Sequence, residues 1–484
     1  MDGGHRDAAG GGLGNGRRAR HGAISETDGA ILRVGILVPL LVPPFVLAFG
    51  WTRAFGPRGL SDQLLGVALP GLYGPLGIVL VVAVAATPLV WLVVAAALRT
   101  RIEPDLELAA RASGAGPVRT LFTVTLPLLR PAILAGAVLT FVFAMNAFGV
   151  PAILGSPAGF ITITTRLYQD LAFSSSPAAF ARATALAVSL VLLAVVVVSS
   201  AEILLGGRSA RRTGQSSSVA SETAGQGRLG GSLLLIGLIL TTVIPLLATV
   251  LTALTRAVGL APVPENWTLA NFEQAIGDGR FVDALSGSLI LAVLAATLVL
   301  GLGTIVAAGA AGSRAGGTAL AIGFAVPGSA MAVAVLLTYG GLLRNTLAII
   351  LIAYLAKFWA LGHRQLAGSI DRLPVDLLRA ARASGAGPLT TVRTVAAPIL
   401  RPSIAAAWVA VFLFALHELT MSSLLYGPGT TTLAVHVLNV QQLGDPTVSA
   451  ALAVILTLLV GLAAIPLLVL GRGFAGSLPT TSSG

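Results

Sequence analysis

The string ARASGAGP occurs twice in this chain, at residues 110–117 and 381–388, and in each copy nine further residues lead into a P-x-L-R-P run. Continuing the register, about 22 of the 36 positions from 109 to 144 match 380 to 415. Identity of that length at one fixed spacing is an internal duplication, so the chain has to be built from two homologous units. Both copies are polar, and both are flanked by long apolar segments. Such a unit is a membrane half carrying a polar loop that something outside the membrane reads.

Composition agrees. Hydrophobic residues make up 55% of the 484 and charged residues 10%, a combination foreign to soluble domains. Apolar segments run at about 33–52, 74–98, 132–154 and 182–205, then at 232–255, 286–310, 317–339, 345–362, 403–425 and 447–470. A span needs about 20 apolar residues to cross about 30 Å of hydrocarbon. The pattern predicts an all-α integral membrane protein with about ten transmembrane helices. Cysteine is absent, which excludes disulfides and thiolate metal sites.

A net charge of +11 would suit nucleic acid if it were gathered on one surface. Here the arginines fall in loops between apolar runs, where positive charge marks the cytoplasmic side, and no nucleic-acid partner is expected. Arg101, Arg111, Arg119 and Arg130 lie in the first repeated loop, and Arg364, Arg372, Arg379, Arg382, Arg393 and Arg401 in the second. With Arg17, Arg18 and Arg20 near the start, alternation puts the N-terminus, both loops, the middle stretch and Arg472 in the cytoplasm. Loops of one orientation make the halves parallel repeats about an axis along the membrane normal. The expected division is a disordered cytoplasmic tail at 1–30, a first half at 31–205, a cytoplasmic linker at 206–231, a second half at 232–472 and a cytoplasmic tail at 473–484. The tail at 1–30 has no apolar core of a signal peptide. The halves hold four and six spans, so the first is shortened by two. Dispensable spans, a start assigned too late or a truncated gene would each produce that difference.

Each repeated loop reads as a short helix, a glycine turn and a second helix. Gly114, Gly116, Gly385 and Gly387 supply the φ freedom of the turn, and Pro117 and Pro388 suit the first position of the next helix. Pro127, Pro131, Pro398 and Pro402 are expected to break the chain before the following span. Ala109, Ala110, Ala380 and Ala381 leave room for close backbone approach, and Arg111 and Arg382 add charge. The product is a helical knob shaped to enter a groove on a cytoplasmic partner.

At these residues the chain resembles the permease subunits of binding-protein-dependent ABC importers, whose cytoplasmic loop carries E-A-A, three residues, Gly, nine residues, then I-x-L-P. Ala109, Ala110 and Gly114 match, with Leu126-Pro127 closing the first copy; Ala380, Ala381, Gly385 and Pro398 match in the second. The Glu position holds Leu108 and Arg379, with Glu107 one residue off register. Fused double permeases with two such loops are typical of ferric-iron type importers. The strings PPFVLA at 43–48, Asn271-Phe272, ALSGSL at 284–289, HELT at 417–420, Leu424-Leu425-Tyr426 and TLAV at 432–435 are similar to that group. The resemblance implies a type I ABC importer permease fold and loops that dock as coupling helices in two ATP-binding subunits. It also implies an extracytoplasmic substrate-binding protein and a multi-pass location in the cell membrane. The implied cargo is ferric iron, with thiamine, putrescine and phosphonate carried on similar scaffolds.

The chain has no G-x-x-x-x-G-K-[ST], and its single lysine, Lys357, lies in Ala356-Lys357-Phe358, so it cannot cradle ATP phosphates in a P-loop. No cofactor is expected on this chain, no catalysis, and ATP is assigned to a separate subunit. His417 and Glu418 fall inside the 403–425 span, where an ionisable pair is costly and usually functional or paired; Asn146 occupies the place of His417 in the first copy. The three are candidates for pathway lining, or for hydrogen bonding between the halves. Two ligands are too few for a metal, and no metal site is expected. Trp51, Trp91, Trp267, Trp359 and Trp408 are expected at interfaces. The outer loops at 256–283 and 426–446 are left for the binding protein. A secondary transporter driven by intramembrane charges and an inactive, truncated permease are the alternatives.

Overall fold

The computed structural model describes residues 26–101, 104–209, 228–309, 323, 325–370 and 373–476. Most of the tail at 1–30, the centre of the linker at 206–231, the start of the segment at 317–339 and most of the tail at 473–484 lie outside the described residues. Apart from one antiparallel bridge between Thr255 and Trp267, the described residues form helices and the turns between them.

Among the described residues eight helices are long and apolar enough to cross a membrane: Pro75–Leu98, Pro117–Met145, Pro177–Ala201, Gly230–Leu254, Gly279–Thr304, Leu347–Ile370, Val392–Leu416 and Pro446–Leu467. The segment expected as a straight span at 33–52 is instead two helices, α1 (Glu26–Leu41) and α2 (Pro44–Phe55), with a bend of 106° between Leu32–Leu41 and Pro44–Leu65. Two prolines cause the bend. Pro43 is extended at φ −54°, ψ 131°, and neither it nor Pro44 can donate a backbone hydrogen bond across the break. The segment at 317–339 contributes a shorter apolar helix, α15 (Gly328–Leu343), likewise led by an extended proline, Pro327.

After the outer helix α3 (Leu60–Leu65), half one continues through α4 (Pro75–Arg101), α5 (Pro104–Ala112), α6 (Pro117–Thr120), α7 (Leu126–Met145), α8 (Gly149–Leu154), α9 (Ile163–Ala172) and α10 (Pro177–Ser209). Half two opens with α11 (Arg228–Leu238), α12 (Ile244–Leu254), α13 (Ala270–Gly277) and α14 (Gly279–Gly309). From α15 it repeats half one: α16 (Leu347–Ile370), α17 (Val375–Ala383), α18 (Pro388–Thr391), α19 (Ala397–Leu416), α20 (Thr420–Leu425), α21 (Leu433–Gln442) and α22 (Pro446–Gly476).

The prolines after the loops do not break the chain. Helix continues from Pro117 to Met145 and from Pro388 to Leu416, with Pro127, Pro131, Pro398 and Pro402 inside it. A π-turn ahead of the first proline of each pair makes this feasible, and the same device recurs before Pro245. In the three turns the residue just before the proline donates five residues back, Leu126 to Leu121, Ile244 to Ile239 and Ala397 to Val392. The extra residue shifts the carbonyl the proline ring would strike. Four residues before each of these prolines stands a threonine, and Thr123, Thr241 and Thr394 each donate to the carbonyl one turn back at 2.7 Å. The real breaks come later. The spans expected at 132–154 and 403–425 end at Met145 and Leu416, and α8 and α20 are separate helices.

The halves exchange contacts. Helix α12 of half two lies on α2 of half one: Trp51 Nε1 donates to the Thr241 carbonyl at 2.9 Å, and a Cβ on Gly50 would stand 2.6 Å from the Pro245 oxygen. Trp51 is therefore a core residue, 7% exposed, not an interfacial anchor. Helix α10 of half one packs in turn on α15 of half two through a small apolar cluster, and the larger apolar core runs through both halves.

Candidate docking loops and translocation gate

The repeated loops have the same backbone, bond for bond. In the first, Ala115 N donates to Ala110 O at 3.0 Å and Gly114 N to Arg111 O at 2.9 Å; in the second, Ala386 N donates to Ala381 O at 3.1 Å and Gly385 N to Arg382 O at 3.0 Å. This paired closure ends a helix by a left-handed residue, and that residue has φ 84° at Gly114 and 81° at Gly385. Ser113 and Ser384 cap the turn by donating to Ala109 O and Ala380 O at 2.8 and 2.9 Å. Gly116 and Gly387 then accept from Thr120 N and Thr391 N, each at 2.9 Å, and Pro117 and Pro388 start the next helix. Ala109, Arg111, Gly114 and Gly116 are exposed, as are Ala380, Arg382, Gly385 and Gly387; Ala110 and Ala381 are half-buried. With α15 counted as a span, six spans separate the loops and place them on one face.

One bond differs. Glu107 Oε1 accepts from Thr125 Oγ1 at 2.7 Å, tying α5 to its π-turn. In the second copy the corresponding residues are Leu378 and Ala396, and an exposed pair, Arg379 with Asp376 at 3.6 Å, stands nearby.

His417 and Glu418 are not in mid-span. They sit in the break between α19 and α20, where backbone groups need partners, and Glu418 supplies them: Oε1 accepts from Met421 N at 2.8 Å and Oε2 from Ser422 N and Ser422 Oγ, both at 3.0 Å. A carboxylate at a helix start is favoured by the helix dipole as well as by these bonds. Ser422 Oγ and Tyr354 Oη on α16 are 2.7 Å apart, and Lys357, one turn along, donates to Val326 O at 2.6 Å, just before α15 begins. His417 Nδ1 is buried and has no hydrogen-bond partner, and its ring lies 6.0 Å from Phe414.

Asn146 occupies the same break in half one and reaches across the molecule. Its Oδ1 accepts from Gly328 N at 2.8 Å, capping α15, while its carbonyl accepts from Thr420 Oγ1 at 3.3 Å. The three sequence candidates thus flank the start of α20, with Asn146 joining the halves and Glu418 ordering half two. Tyr354 and Ser422 were missed in the sequence because nothing distinguishes them from packing residues. Lys357 carried a signal, a lone lysine in an apolar run.

On the face away from the repeated loops, two short helices meet. Thr162 caps α9 and Thr432 caps α21 in the same way, by accepting the third backbone N–H. Tyr168 of α9 donates to Gln442 Oε1 at the end of α21 at 3.4 Å, a contact between the halves. Burial pushes the Tyr168 phenol up to about 12, with Tyr426 adding to the effect, so it remains a donor at neutral pH. Behind α9, Asp170 is buried and held by Arg182 of α10, Nε to Oδ2 at 2.8 Å and Nη2 to Oδ1 at 2.6 Å, with Arg166 Nε at 3.4 Å. The Arg182 bonds keep the carboxyl below its usual range despite its burial. Behind α21 there is no such strap. A cavity of about 670 Å³ opens there, lined by Gln274, Asp278, His436 and Asp445 among others.

Comparison with known proteins follows the duplication. The family model described as binding-protein-dependent transport system inner membrane component matches residues 27–206 and, separately, 300–472. The ferric transport system permease protein FbpB of Actinobacillus pleuropneumoniae is 24% identical over 459 residues, covering 90% of this chain and 64% of that protein. The Fe(3+)-transport system permease protein FbpB 2 of Haemophilus influenzae is 26% identical over 424 residues, 84% of this chain and 76% of that protein. The molybdenum transport system permease protein ModB of Mycobacterium tuberculosis is 33% identical over 168 residues, 34% of this chain and 62% of that protein. This chain therefore spans 64% and 76% of the length of the two ferric relatives. One family match in each half is what a duplicated membrane unit with a repeated polar loop requires, and the chain belongs to the family of binding-protein-dependent transport system inner membrane components.

Proposed function

We propose that this chain is the translocation subunit of an ATP-driven importer, with an ATPase subunit docked at each repeated loop and ferric iron delivered from outside by a binding protein. The observation that carries the reading is the pair of exposed loops, alike in sequence and in every turn bond, on a chain without a phosphate-binding loop of its own. Two equal knobs suit two copies of one partner. Residues 109–117 and 380–388 form the docking surfaces, with Arg111 and Arg382 exposed for charge contacts. Arginine-rich loops favour the cytoplasm as the side on which the N-terminus and both loops lie. Ferric cargo is supported by the names of the relatives that align along most of the chain.

In the mechanism, ATP-driven closure of the ATPases moves the loops, and each loop passes the motion into its span through a π-turn. Asn146, His417 and Glu418 then line the pathway at the breaks after α7 and α19. With Tyr168 and Gln442 in contact, the outer side is shut, and the cycle has to part α9 from α21 to admit cargo. Reconstituting the chain with its ATPase and loaded binding protein, and following radiolabelled ferric iron uptake, tests this. Uptake is expected only with ATP and all three components. Uptake without ATPase would return the chain to the secondary transporters, and failure of the complete system would favour an inactive permease. Competition by molybdate, thiamine, putrescine and phosphonate tests the cargo.

A further inference from the structure

The two halves carry opposite charge at equivalent places on the face away from the repeated loops. In half one, residues 146–182 hold only Arg166, Asp170 and Arg182 as charged groups, a formal +1, and the side chains of Arg166 and Arg182 are 43% and 47% exposed. In half two the matching surface is formed by α21, the start of α22 and the overlying α13. The residues at the same register, 419–452, hold Asp445 as their one charged group, a formal −1, and the overlying 264–283, which has no counterpart within 146–182, adds Glu265, Glu273, Asp278 and Asp283 against Arg280, a formal −3.

The acidic surface has a recess within it. Asp278 uses Oδ1 to accept from Arg280 N at 3.0 Å, and Asp445 uses Oδ1 to accept from Val448 N at 3.1 Å; among the described residues the Oδ2 of each makes no hydrogen bond. His436, at the register of Arg166 in half one, is 4% exposed and lines the same cavity with no hydrogen-bond partner among the described residues. Burial pushes its imidazole below the usual value, and Arg280 outside the cavity acts in the same direction against Asp278. The cavity thus offers two carboxylate oxygens, a neutral imidazole and the Gln274 amide oxygen, a set of acceptors that suits a guanidinium or ammonium donor.

We infer that the extracytoplasmic binding protein docks in one orientation only, an acidic patch over Arg166 and Arg182 of half one, a basic patch over half two, and a lysine or arginine side chain in the cavity behind α21. This rests on the reading of the chain as a binding-protein-dependent importer. Opposed charge across an interface fixes orientation and speeds encounter more than it adds affinity. It also explains why two homologous halves differ in sign: a symmetric outer face would accept a partner in either of two orientations.

The test uses the complete importer in proteoliposomes and its purified, iron-loaded binding protein, reading the binding-protein concentration that half-maximally stimulates ATP hydrolysis. Ser175→Glu and Glu273→Lys change exposed positions outside the Asp170 strap. Each is expected to raise that concentration about 3- to 10-fold at low salt and to lose the effect in high salt, where screening shortens the reach of exposed charge; Ser175→Arg is expected to lower it. The cysteine-free chain then permits single-cysteine cross-linking, with Phe173→Cys and Leu443→Cys expected to capture different surfaces of the binding protein, mapped by peptide analysis. Unchanged concentrations for both substitutions, or capture of the same surface from both positions, overturns the orientation. Absence of any stimulation with the unaltered chain overturns the importer reading itself.

Discussion

Around the break after α19, half two carries Glu418, Ser422, Tyr354 and Lys357; at the same register half one carries Ala147, Pro151, Ala83 and Ala86. The repeated loops of the same two halves share every backbone turn bond. Conservation of one part and divergence of the other fit what each part meets. In the proposed importer, two loops that receive two copies of one partner are held to a single shape, while walls that face one substrate are free to differ; at these four positions half two is polar where half one is apolar. The largest expected effect tests this contrast. Glu418→Ala makes half two resemble half one and leaves two N–H groups of α20 and the Ser422 hydroxyl without their acceptor. Each buried group left unsatisfied costs about 1–3 kcal/mol. A clear fall in the melting temperature of the purified protein and loss of uptake are expected, with Glu418→Gln milder because its amide oxygen still accepts one N–H. Unchanged melting and uptake in Glu418→Ala would make the polar wall incidental.

The halves also solve the approach of α2 and of α15 to the helix after the break with opposite choices of size. In half one the glycine is on α8: a Cβ at Gly149 would lie 2.5 Å from the Phe45 Cβ and 2.8 Å from a Leu419 methyl. In half two it is on α15: a Cβ at Gly328 would lie 3.3 Å from Met421 Cγ. Neither neighbour of Gly149 has room to retreat, whereas the unbranched Met421 chain adapts. Gly149→Ala is expected to cost about 1–3 kcal/mol as overpacking and Gly328→Ala less than about 1 kcal/mol. Equal losses in thermal unfolding would show that the interface is set by something other than this exchange of large and small.

The duplication, the spans and the loop turns were legible because each rests on local chemistry. Gly114 and Gly385 must be glycine at positive φ, and a run of 20 apolar residues has few homes besides a bilayer. The breaks were not legible. Pro127 and Pro398 signal interruption, but a π-turn absorbs them, and that turn is a backbone adjustment with no residue code beyond a threonine four positions earlier. The true breaks at Asn146 and His417 have no proline and no glycine at the break itself. They are held open by tertiary bonds, from Gly328 to Asn146 and from Met421 and Ser422 to Glu418. Trp51 failed as an interfacial anchor for a related reason: its neighbour α12 arrives from the other half, 190 residues away in the chain.

Equivalence of the loops is open to direct test. Gly114→Val and Gly385→Val each force a side chain into the left-handed region, at a cost of about 1–2 kcal/mol. Nothing lies within 4 Å of either Cβ position, so steric crowding adds nothing. Each substitution should reduce ATPase co-purification to the same degree. A large loss from one and none from the other would mean that a single loop carries the docking.

The smallest expected effect addresses the one bond by which the loops differ. Glu107 fastens α5 to Thr125, whereas Leu378 and Ala396 leave α17 without a counterpart. If the bond only stiffens the first loop, Glu107→Leu with Thr125→Ala should loosen it by about 1 kcal/mol, and the double-mutant coupling should fall near the same value. Backbone hydrogen exchange should then quicken at 106–116 to the rate of 377–387, with docking preserved at both loops. Grafting the bond the other way, with Leu378→Glu and Ala396→Thr, should slow exchange in the second loop. A loss of docking from the first pair of substitutions would instead place Glu107 in the contact with the ATPase, one residue from where the family pattern carries its Glu, and the loops would then differ in the partner's view as well as in their own stiffness.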